Sequence, residues 1–522
     1  MRTSQKRALE ESPSSSSGAV SLSLESGRSL DGVSPFYFKR ATAGGFQVAP
    51  QPPLPPPNWS LRPSTARVAR ELGKSLQIPK IPQGKALAMN VWHVDGRARA
   101  GVIALPHGPV ETPVFMPVGT QAVIKSLTSG QLDDIGPQII LNNTYHLASR
   151  PGCEILERAG GSHRFMRWPR NLLTDSGGFQ MVSLSRLCSI SEEGVLFEHP
   201  HTKKEMLLTP EKSVESQNAI GADILMQLDD VVSATCTDRA RVEEAAERTL
   251  RWLDRCISAH QRPSEQNLFG IVQGGLFEDL REKNLKGMAE RNLPGYAIGG
   301  LSGGESKDQF WRVVEQCARP GKGLPEDRPR YLMGVGYPLD LVCCVALGVD
   351  MFDCVYPCRT ARFGTALVPE GMLRVKKKEF NRDFRALQAD CSCYCCSNFT
   401  RAFLHFSLGK EPVASQLLTI HNIHFLLTLM DACRAAILRG TFYGFVRDFL
   451  RKQHPPEAVE TDPPPPWVRE CLKAAGIHVG DMYDWEAASR VWLMHEEERE
   501  KARKRTKENT TAFGKGGGGL DD

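Results

Sequence analysis

The chain has 522 residues, 41% hydrophobic and 24% charged, which is room for two or three average domains or one large α/β barrel with attachments. No run of 18 or more apolar residues occurs, so a membrane span is not expected, and a net charge of +5 permits a nucleic-acid partner without demanding one. Fifteen cysteines, an odd number with no secretory signal ahead of them, predict reduced thiols in a cytosol-like compartment, where a cysteine cluster is a metal site rather than a disulfide framework.

Residues 1–88 carry SPSSSSG at 12–18 and a proline run at 50–57, with few large apolar side chains. Such a stretch buries too little surface to offset its ordering entropy, so a disordered or polyproline-like leader is predicted. Arg2, Lys6, Arg7 and the serines resemble a transit peptide, but Glu10 and Glu11 speak against that. From about 100 to 365, apolar runs ending in Gly, Asp or Gln alternate with amphipathic stretches. The strand candidates are 138–144, 171–178, 222–230, 267–275, 295–304, 330–336 and 349–354, and helices are predicted over 241–260, 276–291 and 307–318. This alternation implies a parallel sheet with right-handed crossovers, and seven or more units suit a closed (β/α)8 TIM barrel. The segment 181–210 breaks the rhythm and reads as an inserted β-hairpin. The domains expected are the leader (1–88), the barrel (89–385), a zinc-binding subdomain with closing helices (386–453), and a proline-rich linker with a charged, Gly-rich tail (454–522). Basic residues at 501–507 read as a solvated helix face.

Asp175, Asp229, Gln273, Gly299, Gly300 and Asp353 fall at the C-terminal ends of predicted strands, which a barrel gathers at one mouth. Each alone is equally well a helix cap or a turn residue. Together they point to a barrel enzyme with several carboxylates. Beyond the barrel, CSCYCC at 391–396 is followed by His421. Cys391, Cys393, Cys396 and His421 would make a closed tetrahedral set for one structural Zn2+, with no open position for catalysis. By spacing alone Cys395 can replace Cys396, and His424 or His405 can replace His421. A set of free thiols is the plainer alternative, weakened by the ease with which four clustered thiols oxidise or capture metal.

LLTDSGGFQMVSL (172–184), MQLDDVV (226–232), AIGGLSGGES (297–306), RYLMGVGYP (330–338) and DMFDCVYPCRTARFG (350–364), with C-x-C-x-x-C and a later His, closely resemble the tRNA-guanine transglycosylases. Within that family they are most similar to catalytic subunits of the eukaryotic, queuine-inserting branch. The resemblance covers roughly 90–480. It implies a pentosyltransferase that exchanges guanine at wobble position 34 of GUN-anticodon tRNAs (Asp, Asn, His, Tyr) for queuine. Asp353 would then be the nucleophile and Asp175 the proton acceptor and donor. Asp175, Ser176, Gly177 and Gly178 would line the substrate site. Asp229, Gln273 and Gly300 would read the base edge, and Phe179 and Met333 would sandwich the ring. RNA contacts would come from Gly334, Val335, Gly336, Tyr337, Pro338, Leu339 and Asp340, and from Cys358, Arg359, Thr360, Ala361 and Arg362. Cys391, Cys393, Cys396 and His421 would hold the zinc.

Those assignments are chemically coherent. Cleaving an N-glycosidic bond builds positive charge on the ribose, which a carboxylate stabilises and can trap, and two displacements retain configuration. A second carboxylate can protonate the leaving base and deprotonate the incoming one. The base must leave its stack, cheapest in a single-stranded loop, with arginines on phosphates. Val231 and Gly303 stand where the bacterial branch resembles a cysteine and a valine, which leaves room for the cyclopentenediol arm of queuine. The resemblance further implies a non-catalytic paralogous subunit as heterodimer partner, with a homodimer as the alternative. It also implies a cytoplasmic enzyme, peripheral on the mitochondrial outer membrane through a partner. Two positions depart from the family pattern: Asn142, where glycine is usual and φ > 0 would matter, and Cys358, where threonine is usual. Two other functions remain to be separated from this one: a non-catalytic tRNA-binding subunit of the same complex, and a glycoside hydrolase read from barrel and carboxylates alone.

Overall fold

The computed structural model describes residues 53–178, 188–198 and 204–513. A helix, Pro63–Glu71, comes first, followed by an antiparallel sheet of β1 (Ala88–Asp95), β2 (Ala98–Leu105) and β3 (Gly108–Thr112). Then come β4 (Val114–Gly119), β5 (Ile139–Asn143) and β6 (Asn171–Asp175). Where a hairpin is expected, three antiparallel strands form instead: β7 (Cys188–Ile190), β8 (Val195–Glu198) and β9 (Glu205–Leu208). The remaining strands are β10 (Ile224–Met226), β11 (Asn267–Val272), β12 (Gly295–Ile298), β13 (Arg330–Leu332), β14 (Met351–Cys354) and the hairpin β15 (Thr365–Val368) and β16 (Gly371–Arg374).

Eight of these strands, all parallel, close a barrel in the order β10-β11-β12-β13-β14-β4-β5-β6. Seven match the predicted strands. The eighth, β4, escaped the periodicity reading because Pro117 lies inside it, and proline argues against an interior strand. The barrel is filled by Met116, Leu141, Leu173, Met226, Phe269, Ile271, Ala297, Tyr331 and Met351, so it is a packed core and not a channel. Outer helices form on local signals: Asp238 caps Arg239–Ala259, and Ser306 with Gln309 makes a capping box for Lys307–Ala318.

Two expectations need correction. The last part of the predicted leader is folded: Val68 of Pro63–Glu71 is buried, and the Arg62 N–H donates to Glu111. A single short amphipathic helix supplies the apolar face that overall composition hides. The expected linker after 454 is likewise packed, with Pro463, Pro464 and Pro465 buried and Trp467, Val468, Cys471 and Leu472 of the helix Pro466–Ala474 in the core. Proline rings are apolar and lose little entropy on ordering, so a proline run can serve as packing. Pro412–Arg439 is by length and composition a helix apolar enough to cross a membrane, but 72% of its apolar window is buried inside the fold. Scattered polar residues such as His421 and Asn422 break its apolar run. The predicted charged tail helix corresponds to Trp485–Phe513.

Candidate active site

Three strand ends bring the proposed catalytic groups together. Asp175 ends β6, beside Asn143 at the end of β5. The Asn143 Nδ2–H donates to its Oδ2 (2.6 Å), and the Thr144 N–H to its Oδ1 (3.0 Å). Burial pushes the Asp175 carboxyl up to about 7; the Thr144 N–H opposes that, and the charge of Asp353 adds to it. The two carboxylates therefore feel one another across the mouth. Asp353, on β14, accepts from the Tyr331 hydroxyl (2.6 Å) and the Gly334 N–H (2.8 Å), both on Oδ1. Its Oδ2 takes no hydrogen bond among the described residues. Burial raises this carboxyl too, against the pull of those two donors.

The residues expected to read the base line the same mouth. Asp229 accepts from the Gln273 side-chain amide (2.7 Å) and pairs with the Ser176 hydroxyl. Burial lifts it to about 6. Gln273 is held at its own backbone by Asn284 (2.9 Å). Gly300 has φ +67°, and a Cβ there would stand 2.4 Å from the Gln273 side-chain oxygen, so the backbone can come this close only as glycine. Gly177 (φ +81°) leaves a Cβ no more than 3.0 Å from Tyr145, and Gly178 abuts Leu228 and the Asp229 carbonyl. Met333 is half-buried at the end of β13, with its N–H on the Ile298 carbonyl (3.3 Å). Phe179, expected to face it across the base, lies outside the described residues.

The metal set also assembles. The thiols of Cys391, Cys393 and Cys396 stand 3.7, 3.6 and 3.3 Å from Nδ1 of His421. Sulfur and nitrogen ligands around one tetrahedral zinc lie about 3.6 Å apart, so the donor set fits that ion. The other ring nitrogen of His421 meets the Leu367 carbonyl at 2.8 Å, the outer contact that fixes a ligating tautomer. Cys395 is fully buried in the apolar core instead, and His405 is turned to the Val375 carbonyl. His424 approaches Cys391 alone (3.7 Å).

A family model described as queuine tRNA-ribosyltransferase matches residues 95–455. The chain belongs to the queuine tRNA-ribosyltransferase family. Relatives named queuine tRNA-ribosyltransferase catalytic subunit include one from Schizosaccharomyces pombe, 52% identical over 388 residues (73% of this chain, 94% of the relative), and one from Caenorhabditis elegans, 49% identical over 393 residues (73% and 96%). A queuine tRNA-ribosyltransferase from Staphylococcus aureus is 47% identical over 356 residues (68% and 93%). The family is one of pentosyltransferases.

The segments that the resemblance assigns to RNA sort by exposure. Gly334, Tyr337, Arg359 and Arg362 are exposed, and neither arginine has an ion-pair partner among the described residues. Pro338, Leu339 and Thr360 are half-buried, the last with its hydroxyl on the Tyr356 carbonyl (2.7 Å). Val335, Gly336, Asp340, Cys358 and Ala361 are buried, so they support the surface and do not form it. Asp340 takes the Lys307 ammonium, and Cys358 packs in the core. Asn142 is an ordinary strand residue whose side chain donates to the Ser162 hydroxyl (3.0 Å), so the expected demand for positive φ is absent.

Sequence reasoning missed the residues that hold the proposed catalytic carboxylates. Asn143, Thr144 and Tyr331 lie inside quoted strands, where they read as strand-end polar residues or as core. Arg281 was missed too. It is fully buried in the helix Glu278–Glu290 and donates to the carbonyls of Val272 (2.8 Å) and Gly275 (2.8 Å), behind Gln273. A mid-helix arginine gives no local signal of that role.

Proposed function

We propose that the chain exchanges guanine at wobble position 34 of GUN-anticodon tRNAs for queuine, by double displacement through a covalent ribosyl-enzyme intermediate. The observation that carries this reading is the Asp353 carboxylate, tied by Oδ1 and without a donor on Oδ2 among the described residues, near a second carboxyl, Asp175, that burial lifts to about 7 and that feels the Asp353 charge. Asp353 Oδ2 attacks C1′ of the ribose, the C1′–N9 bond breaks, and its electron pair leaves on guanine. Protonated Asp175 gives its proton to that base. The incoming queuine loses a proton to Asp175, attacks C1′ and expels Asp353, so configuration is retained. A titration point near neutrality lets Asp175 serve both directions.

Asp229 can accept from N1–H and the exocyclic amine of a guanine-like base. The Gln273 amide and the Gly300 N–H can meet O6. Exposed Gly303 would meet only Ala234, at 3.2 Å, if it carried a Cβ, which supports room for the arm of queuine. Arg359 and Arg362, unpaired beside exposed Tyr337, suit the phosphates and bases of an anticodon loop. We assign Zn2+ to Cys391, Cys393, Cys396 and His421; there it would anchor His421 on the helix Pro412–Arg439 to the 391–396 turn. We assign a non-catalytic paralogue as heterodimer partner, with a homodimer as the alternative; the catalytic-subunit naming of the relatives supports a partner subunit. A cytoplasmic location, peripheral on the mitochondrial outer membrane, is our proposal too. The fourteen described cysteines that carry no disulfide favour a reducing compartment.

The test is to charge tRNA-Tyr with radiolabelled guanine and chase with queuine, with and without the partner subunit. Label should wash out with the intact chain and stay with Asp353→Asn. Retention of label by the intact chain with its partner present would overturn the exchange reading. Equal washout by Asp353→Asn would leave only the tRNA-binding role of a non-catalytic subunit.

A further inference from the structure

The segment 334–340 and the helix Lys307–Ala318 meet at one side chain. Lys307 is the first residue of that helix, whose start is already satisfied by the capping box of Ser306 and Gln309. A cation in the first turn works against the helix dipole, so local helix energetics does not select a lysine there. Its ammonium pairs with Asp340, in the first turn of the helix Pro338–Ala346. It also stands 4.7 Å from the centroid of the Phe310 ring and 5.6 Å from that of Tyr337. Phe310 and Asp340 are buried, whereas Tyr337 is 51% exposed.

The buried Asp340 carboxylate needs a cation, and the flexible four-carbon stem of Lys307 reaches it from the neighbouring helix. The ion pair fixes where the ammonium stands, and an ordered cation over a ring restrains that ring. Tyr337 is restrained a second time by Tyr356, whose ring packs on it with centroids 4.2 Å apart. Yet its side chain caps nothing, although it stands at the N-cap of Pro338–Ala346. An aromatic ring held in place but left half in solvent is a platform for an unstacked base of single-stranded RNA.

We propose that Lys307 is a positioning residue for RNA: anchored by Asp340, it holds the exposed Tyr337 ring in the pose that meets a base of the anticodon loop. The inference rests on the tRNA reading above and adds a residue outside the segments 334–340 and 358–362. A staple between two helix starts is the plainer role for the same contacts, and it predicts no link to Tyr337.

The experiment is a double-mutant cycle on the full-length chain with its partner subunit, read as equilibrium binding of tRNA-Tyr and as steady-state guanine exchange. Lys307→Met keeps the stem and removes the charge, and Tyr337→Ala removes the ring. Lys307→Met should weaken tRNA binding, and raise the KM for tRNA, by about 5-fold or more. The kcat and the KM for guanine should stay within about twofold. Gly334, at the start of the segment, is tied separately to Asp353 (2.8 Å), so Asp353 keeps that donor. Lys307→Arg should recover most of the loss. On the Tyr337→Ala background, Lys307→Met should cost at most about a further 1.5-fold, because a residue that acts through the ring has nothing left to hold. Should Lys307→Met fail to fold, Lys307→Met with Asp340→Asn removes both charges and is read in the same way, with and without Tyr337→Ala. Unchanged tRNA affinity in the folded variant, or a full further loss on the Tyr337→Ala background, overturns the proposal. So does a thermal midpoint and kcat that fall together while tRNA affinity holds. A parent chain that binds tRNA but exchanges no guanine fails the function and not this inference, which the affinities alone then decide.

Discussion

The two ends of the barrel treat buried carboxylates in opposite ways. At the mouth, Asp175, Asp229 and Asp353 are held by Asn143, Thr144, Ser176, Gln273, Tyr331 and Gly334, neutral donors all, and burial raises each carboxyl. At the base, Asp350 meets Arg99, Glu111 meets Arg434, and Asp223 meets two imidazoles. Burial pushes Asp223 up as well, but the histidines outweigh it and hold the group far below the ordinary carboxylate range. Asp229 and Asp223 are both buried yet shift in opposite directions, so between those two the partner decides and not the burial. The base is organised to stay folded, and on the proposed mechanism the mouth would move protons and face a cationic ribose centre.

The largest test of that division is Asp353→Asn. Removing the nucleophile should cost on the order of 10⁴-fold or more in kcat/KM, read as guanine exchange, while urea denaturation shows a chain at least as stable at pH 8. Next is Asp350→Ala. Asp350 is fully buried, with Arg99 on its carboxylate and the Arg330 N–H on Oδ2 (2.8 Å), so the change strands a buried guanidinium. Roughly 3–5 kcal/mol of stability should be lost in the same denaturation measurement, with exchange per folded molecule unchanged. A mouth variant that unfolds the chain, or a base variant that spares stability and kills exchange, would break the comparison.

The sequence showed the barrel and its carboxylates more readily than their support. Strands β5, β6 and β10–β14 are continuous apolar runs ending in a polar residue, the pattern of a sheet buried on both faces. Strand β4 hid behind Pro117, and the Pro63–Glu71 helix behind the composition of its surroundings. The cysteine spacing gave the metal ligands, but only packing distinguishes Cys396 from core-bound Cys395. Asp175, Asp229 and Asp353 announced themselves because carboxylates at strand ends are costly to keep. Tyr331 and Arg281 could not, since a tyrosine in a strand and an arginine in a helix are ordinary until their neighbours are known. The same limit applied to the RNA segments, where motif membership said nothing about which of Arg359 and Cys358 faces out.

A smaller effect separates the mouth's stability from its chemistry. The folded-state value of Asp175, about 7, lies above the ordinary 3.8. Between those values the native state binds the extra proton, so stability falls as pH rises through the window, and the cost is complete above it. Asp175→Asn should flatten that slope and leave the variant more stable than the parent at pH 8, by on the order of 1–2 kcal/mol after allowance for the hydrogen bonds an amide cannot accept. Denaturation midpoints of both proteins at pH 5 and pH 8 read it. A parallel pH dependence in the two would mean that the mouth carboxyl carries no such penalty.

A change of comparable size isolates positioning from chemistry. The Tyr331 hydroxyl and the Gly334 N–H both fix Oδ1 of Asp353, which leaves Oδ2 without a donor among the described residues. Tyr331→Phe removes one donor and keeps the ring, which is fully buried in the barrel core. A hydrogen bond to a charged group contributes about 1.5–3 kcal/mol, so kcat should fall roughly 10- to 100-fold with little change in the KM for tRNA. The lost donor had favoured the ionised carboxylate, so the Asp353 carboxyl rises further and the acidic limb of the kcat profile moves to higher pH. A mere packing defect would lower stability and leave that limb in place, so the pH profile, and not the size of the rate loss, decides whether Tyr331 acts through Asp353.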